Sequence, residues 1–154
     1  NYFGVLHALE PVMRAMTARG GGHIGIVSSV AGYRGLMKGA AYSPTKAALI
    51  SLCEAIYPSL KHKGVTLSVI NPGFVKTPMT DVNTFPMPFI VPVEKAVQTI
   101  ADGLVRGKYE IIFPWPMALM MKTLRIVPNR LFFWIMSRAA DRAGTADHPP
   151  ENRT

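Results

Sequence analysis

A chain of 154 residues, 49% hydrophobic and 17% charged, is long enough to bury a core and too apolar to be disordered. Its single cysteine, Cys53, excludes an internal disulfide framework and a cysteine-rich zinc site. The net charge of +8 invites a nucleic-acid or membrane partner, yet the basic residues are dispersed, from Lys38 through Lys108, and no nucleic-acid-binding motif accompanies them. No nucleic acid is therefore expected, and no metal, because His7, His23 and His62 fall in different elements and His148 in the tail, without acidic or thiol neighbours at ligand spacing.

Residues 1–19 carry Val5, Leu6, Leu9, Val12, Met13 and Met16 at helical spacing, and Gly20-Gly21-Gly22 ends that helix. His23–Val30 is a short apolar run that reads as a central parallel strand, buried on both faces. A loop with Gly32, Gly35 and Gly39 follows. From Ala41 to Lys63 the pattern is helical again, with Pro44 in the first turn, where its missing N–H is harmless, and Gly64 as the stop. Pro58 is expected to kink this helix or loosen its last turns. Val65–Ile70 is a second buried strand, terminated by Asn71-Pro72-Gly73.

Residues 74–92 hold Pro78, Pro86, Pro88 and Pro92 and read as a long loop with room for one short helical turn. Val93–Arg106 is a helix stopped by Gly107, and Tyr109–Phe113 a third strand. Pro128 splits the remainder into two amphipathic helices, Met117–Val127 and Asn129–Arg142, before a polar tail. No apolar run reaches the roughly 20 residues of a membrane-spanning helix, and the expectation is a cytoplasmic protein with scope for membrane-surface contact.

Strands alternating with helices make an α/β architecture with a parallel sheet, whose ligands bind beyond the carboxyl ends of the strands. Those ends are Ser28-Ser29 and Asn71-Pro72-Gly73. Tyr42 and Lys46 stand four apart at the start of a helix, so their side chains share a face. A tyrosine is a poor base at neutral pH, and a neighbouring ammonium that stabilises the phenolate makes it a usable one. Ser29, thirteen residues before Tyr42, ends a strand from which it can donate to the same substrate oxygen. Taken alone, a Tyr-x-x-x-Lys pair is common on solvated helix surfaces.

The combined pattern is more specific. Asn1-Tyr-Phe-Gly4, Ile26-Val-Ser-Ser-Val-Ala-Gly32, Tyr42-Ser-Pro-Thr-Lys46 and Asn71-Pro-Gly-Phe-Val-Lys-Thr-Pro78, in this order, resemble the catalytic half of the short-chain dehydrogenase/reductase family. The resemblance covers residues 1 to about 113 and implies a Rossmann-like, doubly wound parallel sheet. It implies that Tyr42 is the general acid/base, that Lys46 lowers the tyrosine pKa and binds the nicotinamide ribose, and that Ser29 polarises the substrate carbonyl. By the same resemblance Asn1 positions a water joining the lysine to solvent. The resemblance further implies that Pro72 and Gly73 let the backbone approach the nicotinamide and that Val75 and Thr77 bind its carboxamide. The cofactor implied is NAD or NADP, with NADP slightly favoured, and the choice is not decided within this chain.

The family's glycine-rich fingerprint and a further strand ending in an Asn-Asn-Ala-Gly-like segment are not found, so the dinucleotide-binding strands are expected to be missing from this chain. The complete fold needs roughly 250 residues, leaving on the order of 90 before Asn1. Residues 1–113 then form the catalytic portion, and 114–154 an amphipathic C-terminal extension and polar tail. Phe74, Met79, Phe85, Met87, Phe89 and Ile90 favour a lipophilic carbonyl or alcohol as substrate, or else pack the loop on itself. The helices at 1–19 and 41–63 are expected, by resemblance, to form a homo-oligomer. Residues 115–142, with Lys122, Arg125, Arg130, Arg138 and Arg142 flanking aromatic runs, either touch a membrane surface or pack on the substrate loop or another subunit. The leading expectation is an NAD(P)-dependent oxidoreductase. The alternatives are a non-catalytic dimerisation module and a peripheral membrane-binding basic module.

Overall fold

The computed structural model describes residues 1–37, 39–81 and 86–142. Three strands, β1 (Gly22–Val27), β2 (Val65–Pro72) and β3 (Glu110–Phe113), form one parallel sheet in the order β1-β2-β3. The helices are α1 (Phe3–Ala18), α2 (Ser43–His62), α3 (Pro78–Asp81), α4 (Val93–Val105), α5 (Trp115–Ile126) and α6 (Asn129–Arg142), and a 3-10 turn, Val30–Gly32, follows β1. The α/β fold with a parallel sheet is the one the alternating pattern predicts. Lys38, Phe85 and the polar tail with His148 lie outside the described residues.

The pleat of β2 sorts the core into two layers. Val65, Leu67 and Val69 face Leu49, Cys53 and Leu60 of α2, together with Ile24 and Ile26 of β1, and Met117 and Met121 of α5 complete this layer. Ile70 points the other way, against Ile111, Phe113 and Ala96 of α4. Full burial of each such side chain is worth about 1.5–3 kcal/mol, so both layers hold the central strand firmly. His23 and Ser68 are joined across β1 and β2 at 2.8 Å; the Ser68 hydroxyl donates to the Lys108 carbonyl, so the imidazole Nε2 is the donor to Ser68.

Two details refine the sequence-based expectations. β1, read as a central strand, is the edge of the sheet among the described residues, as expected with the dinucleotide-binding strands missing from this chain: Ile24 and Ile26 are buried, while Gly25 and Val27 are exposed. Its apolar run reads as doubly buried, but only the face toward α2 is covered by described residues. Pro58 does not loosen the last turns of α2, which is helical from Ser43 through His62. The proline lies on the exposed face, where water reaches the carbonyl it leaves unbonded, and Leu60, 1% exposed, anchors the turn beyond it.

Candidate active site

Because the sheet is parallel and in register, Val27 opposite Ile70 and Pro72 opposite Phe113, all three strands release their chains at one edge. Ser28 and Ser29, Gly73 and Phe74, and Pro114 and Trp115 therefore emerge together. The carboxyl edge that the fold rule singles out carries Ser29, Pro72 and Gly73 of the predicted residues.

Ser28 and Lys46 tie the first strand end to α2. The buried Ser28 hydroxyl donates to the Lys46 carbonyl at 2.8 Å, and Lys46 Nζ donates to the Val27 carbonyl at 3.0 Å. Lys46 is only 9% exposed, and burial holds its ammonium below the usual lysine pKa. Its Nζ lies 5.6 Å from the Tyr42 ring centroid, within the range of a cation–π contact. Tyr42 itself caps α2 from an αR conformation and stays partly exposed, open to an incoming molecule. Ser29 accepts from the Ala31 amide at 3.2 Å, capping the 3-10 turn, and its hydroxyl makes a long 3.3 Å bond to the Pro72 carbonyl.

Two glycines make these approaches feasible. A Cβ on Gly32 would stand 2.8 Å from both the Lys46 carbonyl carbon and Ile50 Cδ1, so only glycine lets the turn after Ser29 lie flat on α2. A Cβ on Gly73 would meet Met117 Sδ at 2.6 Å. The sequence suggests one reason for Gly73, approach to a cofactor; the structure adds a second, close packing on α5.

The predicted residues do not all converge. The loop that starts at Phe74 is closed at its base by a bridge between Val75 and Val91. Thr77 belongs to a turn built around Thr80, whose Oγ1 accepts from the Thr77 amide at 2.9 Å and lies 2.8 Å from the Val75 carbonyl. Among the described residues, no hydrogen bond joins Val75, Thr77 or Asn1 to Ser29, Tyr42 or Lys46; Asn1 precedes α1 and is exposed.

Sequence reasoning missed a polar cluster directly beneath this edge. Asn71 is fully buried and its Nδ2 donates to the Tyr33 hydroxyl at 2.9 Å. Tyr33 in turn donates to Glu110, and Glu110 pairs with Lys122 of α5. Burial, reinforced by Glu110, raises the Tyr33 pKa far above its ordinary value, so the phenol keeps its proton. Having one proton, given to Glu110, the hydroxyl leaves only a lone pair for Asn71, which fixes the amide orientation. The available signal was Asn71 itself, a polar residue in pleat phase with Leu67 and Val69.

These groups fit one end of a nicotinamide dinucleotide. An ammonium, a phenol and a serine hydroxyl suit a ribose diol and a reacting oxygen. Among the described residues no glycine-rich strand-to-helix turn is present to receive the pyrophosphate: Gly20–Gly22 precedes a strand.

The chain resembles known proteins in sequence and in fold. The short chain dehydrogenase family profile matches residues 1–85. An uncharacterized oxidoreductase of Myxococcus xanthus is 42% identical over 132 residues, covering 86% of this chain and 52% of that protein. Among solved structures, a short chain dehydrogenase from Burkholderia cenocepacia in complex with NADP superposes with a TM-score of 0.70 at 23% identity, over 96% of this chain and 56% of that one. A 7-alpha-hydroxysteroid dehydrogenase complexed with NADH and 7-oxo glycochenodeoxycholic acid gives 0.63 at 19% identity, over 73% and 49%. At these identities the structural likeness is one of fold. The chain spans about half the length of the curated relatives it matches.

Proposed function

The chain belongs to the short-chain dehydrogenase family, and from that premise we propose that it is the catalytic part of an NAD(P)-dependent oxidoreductase that interconverts a secondary alcohol and a carbonyl. The observation that carries this proposal is the buried Lys46 ammonium beside Tyr42, on the helix tied by Ser28 to the strand end that bears Ser29. A bound nicotinamide dinucleotide would supply the hydride chemistry. Tyr42 moves the proton to or from the substrate oxygen, Lys46 stabilises the phenolate, and Ser29 donates to the same oxygen as charge develops there. Asn1, Pro72, Gly73, Val75 and Thr77 keep the subsidiary cofactor roles that the family resemblance implies.

A lipophilic substrate is supported by Phe89 and Ile90, both exposed on the loop above the strand ends. Self-association through α1 and α2 is supported by Phe3 and Val12, exposed on α1. For residues 115–142, two cations counted toward a membrane surface are already paired at the protein surface, Lys122 with Glu110 and Arg125 with Glu54. With Met117, Met121 and Phe132 buried, this favours an extension that braces the site. Among the described residues no helix is long and apolar enough to cross a membrane.

The test is Tyr42→Phe in the full-length protein. Turnover is expected to vanish while NADPH or NADH binding, read by fluorescence titration, persists. Wild-type-like turnover in that variant removes the proposal.

A further inference from the structure

Ser29 poses a mechanical problem. To donate to a substrate oxygen its hydroxyl must leave the Pro72 carbonyl, and that 3.3 Å bond is one of the ties between the two loops that form the site. If nothing else held them, the 3-10 turn would be free to shift as the serine engaged substrate. The structure supplies a second tie that does not use the serine. Tyr33, the C-cap of that turn, reaches across the same gap to Asn71, the residue immediately before Pro72.

We propose that Tyr33, Asn71 and Glu110 form a positioning clamp for the reaction, which holds Ser29 in place when its hydroxyl turns to substrate, and that Lys122 of α5 completes it. The inference rests on the oxidoreductase assignment of the site. Each member has a defined part. Asn71, on the central strand, is immobile because its side chain is wholly enclosed. Tyr33, 7% exposed, spans from the turn to the strand. Glu110 takes the phenol proton into a hydrogen bond and so aims the lone pair at Asn71, and Lys122 balances the carboxylate. The ammonium comes from α5, whose Met117 also fills the space beside Gly73. The extension beyond the strands thereby acts on the catalytic serine without touching substrate. These are positioning residues: their effect passes through Ser29.

The decisive experiment is a double-mutant cycle in the full-length protein, using Tyr33→Phe, Ser29→Ala and their combination, with 2-decanone and NADPH or NADH as probes. Tyr33→Phe keeps the ring in the core and removes only the hydroxyl. Its kcat is expected to fall about ten-fold with KM little changed, as misplacement of a catalytic group would produce. In the Ser29→Ala background the same change is expected to alter residual turnover less than about two-fold, since the group being positioned is gone. Amide hydrogen exchange at position 33 and Gly32 is expected to speed up about ten-fold or more in Tyr33→Phe without any substrate, because these amides hold the turn. Glu110→Ala, which removes the acceptor that aims the Tyr33 hydroxyl and the partner of Lys122, is expected to lower kcat about ten-fold as well, and provides a second arm should Tyr33→Phe fold poorly. Fully multiplicative losses in the cycle, or unchanged exchange at the turn, overturn the clamp while leaving the site assignment standing. Unchanged turnover in Ser29→Ala alone overturns the assignment and the clamp together.

Discussion

Gly73 and Met117 occupy one another's space: a Cβ at position 73 would lie 2.6 Å from the Met117 sulfur, with Pro114 Cδ and the Phe113 carbonyl at 3.1 and 3.2 Å. The turn after β2 is thus closed by α5 on the side where a Cβ would stand. Gly73→Ala is expected to destabilise the intact protein by about 1–3 kcal/mol through overpacking. Met117→Ala should relieve the clash, so the double variant ought to be less destabilised than the two single losses added together. Urea denaturation of all four proteins measures this, and strict additivity would show that the two residues do not compete.

The same logic at the other strand end concerns Gly32, whose missing Cβ admits the Lys46 backbone. Here the neighbour is helix backbone and cannot turn aside. Gly32→Ala is therefore expected to push the turn off α2 and to cut turnover more sharply than it cuts stability. A fall in kcat at least ten-fold, with thermal unfolding shifted by only a few degrees, is the predicted split. Equal turnover in the variant would mean that the flat seating of the turn is unnecessary.

What could be read from the sequence follows the range of the interactions. Tyr42 and Lys46 are four residues apart on one helix, so their contact is local and legible. The strands are legible from apolar runs, and their shared edge from the alternation of elements. Asn71 reads as a turn residue because Pro72-Gly73 follows it, yet β2 continues through Pro72, held by pairing with Ile112 and Phe113 of β3. That pairing joins segments some forty residues apart and leaves no local mark. Tyr33 and Glu110, 77 residues apart, are further still from local legibility. For β1, Gly25 and Val27 suit a covered strand, and they are exposed in a chain that spans about half the length of its relatives.

Met121 is 1% exposed, deep in the layer shared with Leu67 and Leu49. Its truncation to alanine is expected to cost about 2–5 kcal/mol, the range for emptying a core position. A surface position on the same helix, Leu119, 61% exposed, should tolerate alanine with little change. Chemical denaturation of the two variants distinguishes an α5 that is integral to the core from one that merely rests on it. Equal, small effects would support the second.

Lys46 gives stability a particular pH dependence. Burial holds its pKa below the usual 10.5, so between the two values the unfolded chain binds more protons than the folded one. Stability from this group therefore rises with pH across that window. Lys46→Met removes the titration. The stability of wild type relative to Lys46→Met is expected to increase from neutral pH toward pH 10, as followed by denaturant midpoints. A flat difference would indicate that the ammonium is as well solvated in the fold as outside it.

Cys53 and Tyr109 act with the opposite sign. Burial pushes the Cys53 thiol up to about 11 and the Tyr109 phenol up to about 12, from ordinary values near 9 and 10. Below about pH 8 both groups are almost wholly protonated in either state and stability is unaffected by them. Above it the unfolded chain releases protons that the folded chain retains, so stability declines as pH climbs through 9 to 12. Cys53→Ala should shallow the first part of that decline, at the expense of some packing, because the thiol is wholly enclosed between α2 and the sheet. The same enclosure predicts that a thiol reagent labels Cys53 only at the rate of unfolding. Rapid labelling of the native protein at pH 8, or an unchanged alkaline slope in Cys53→Ala, would place the thiol at the surface instead of in the core.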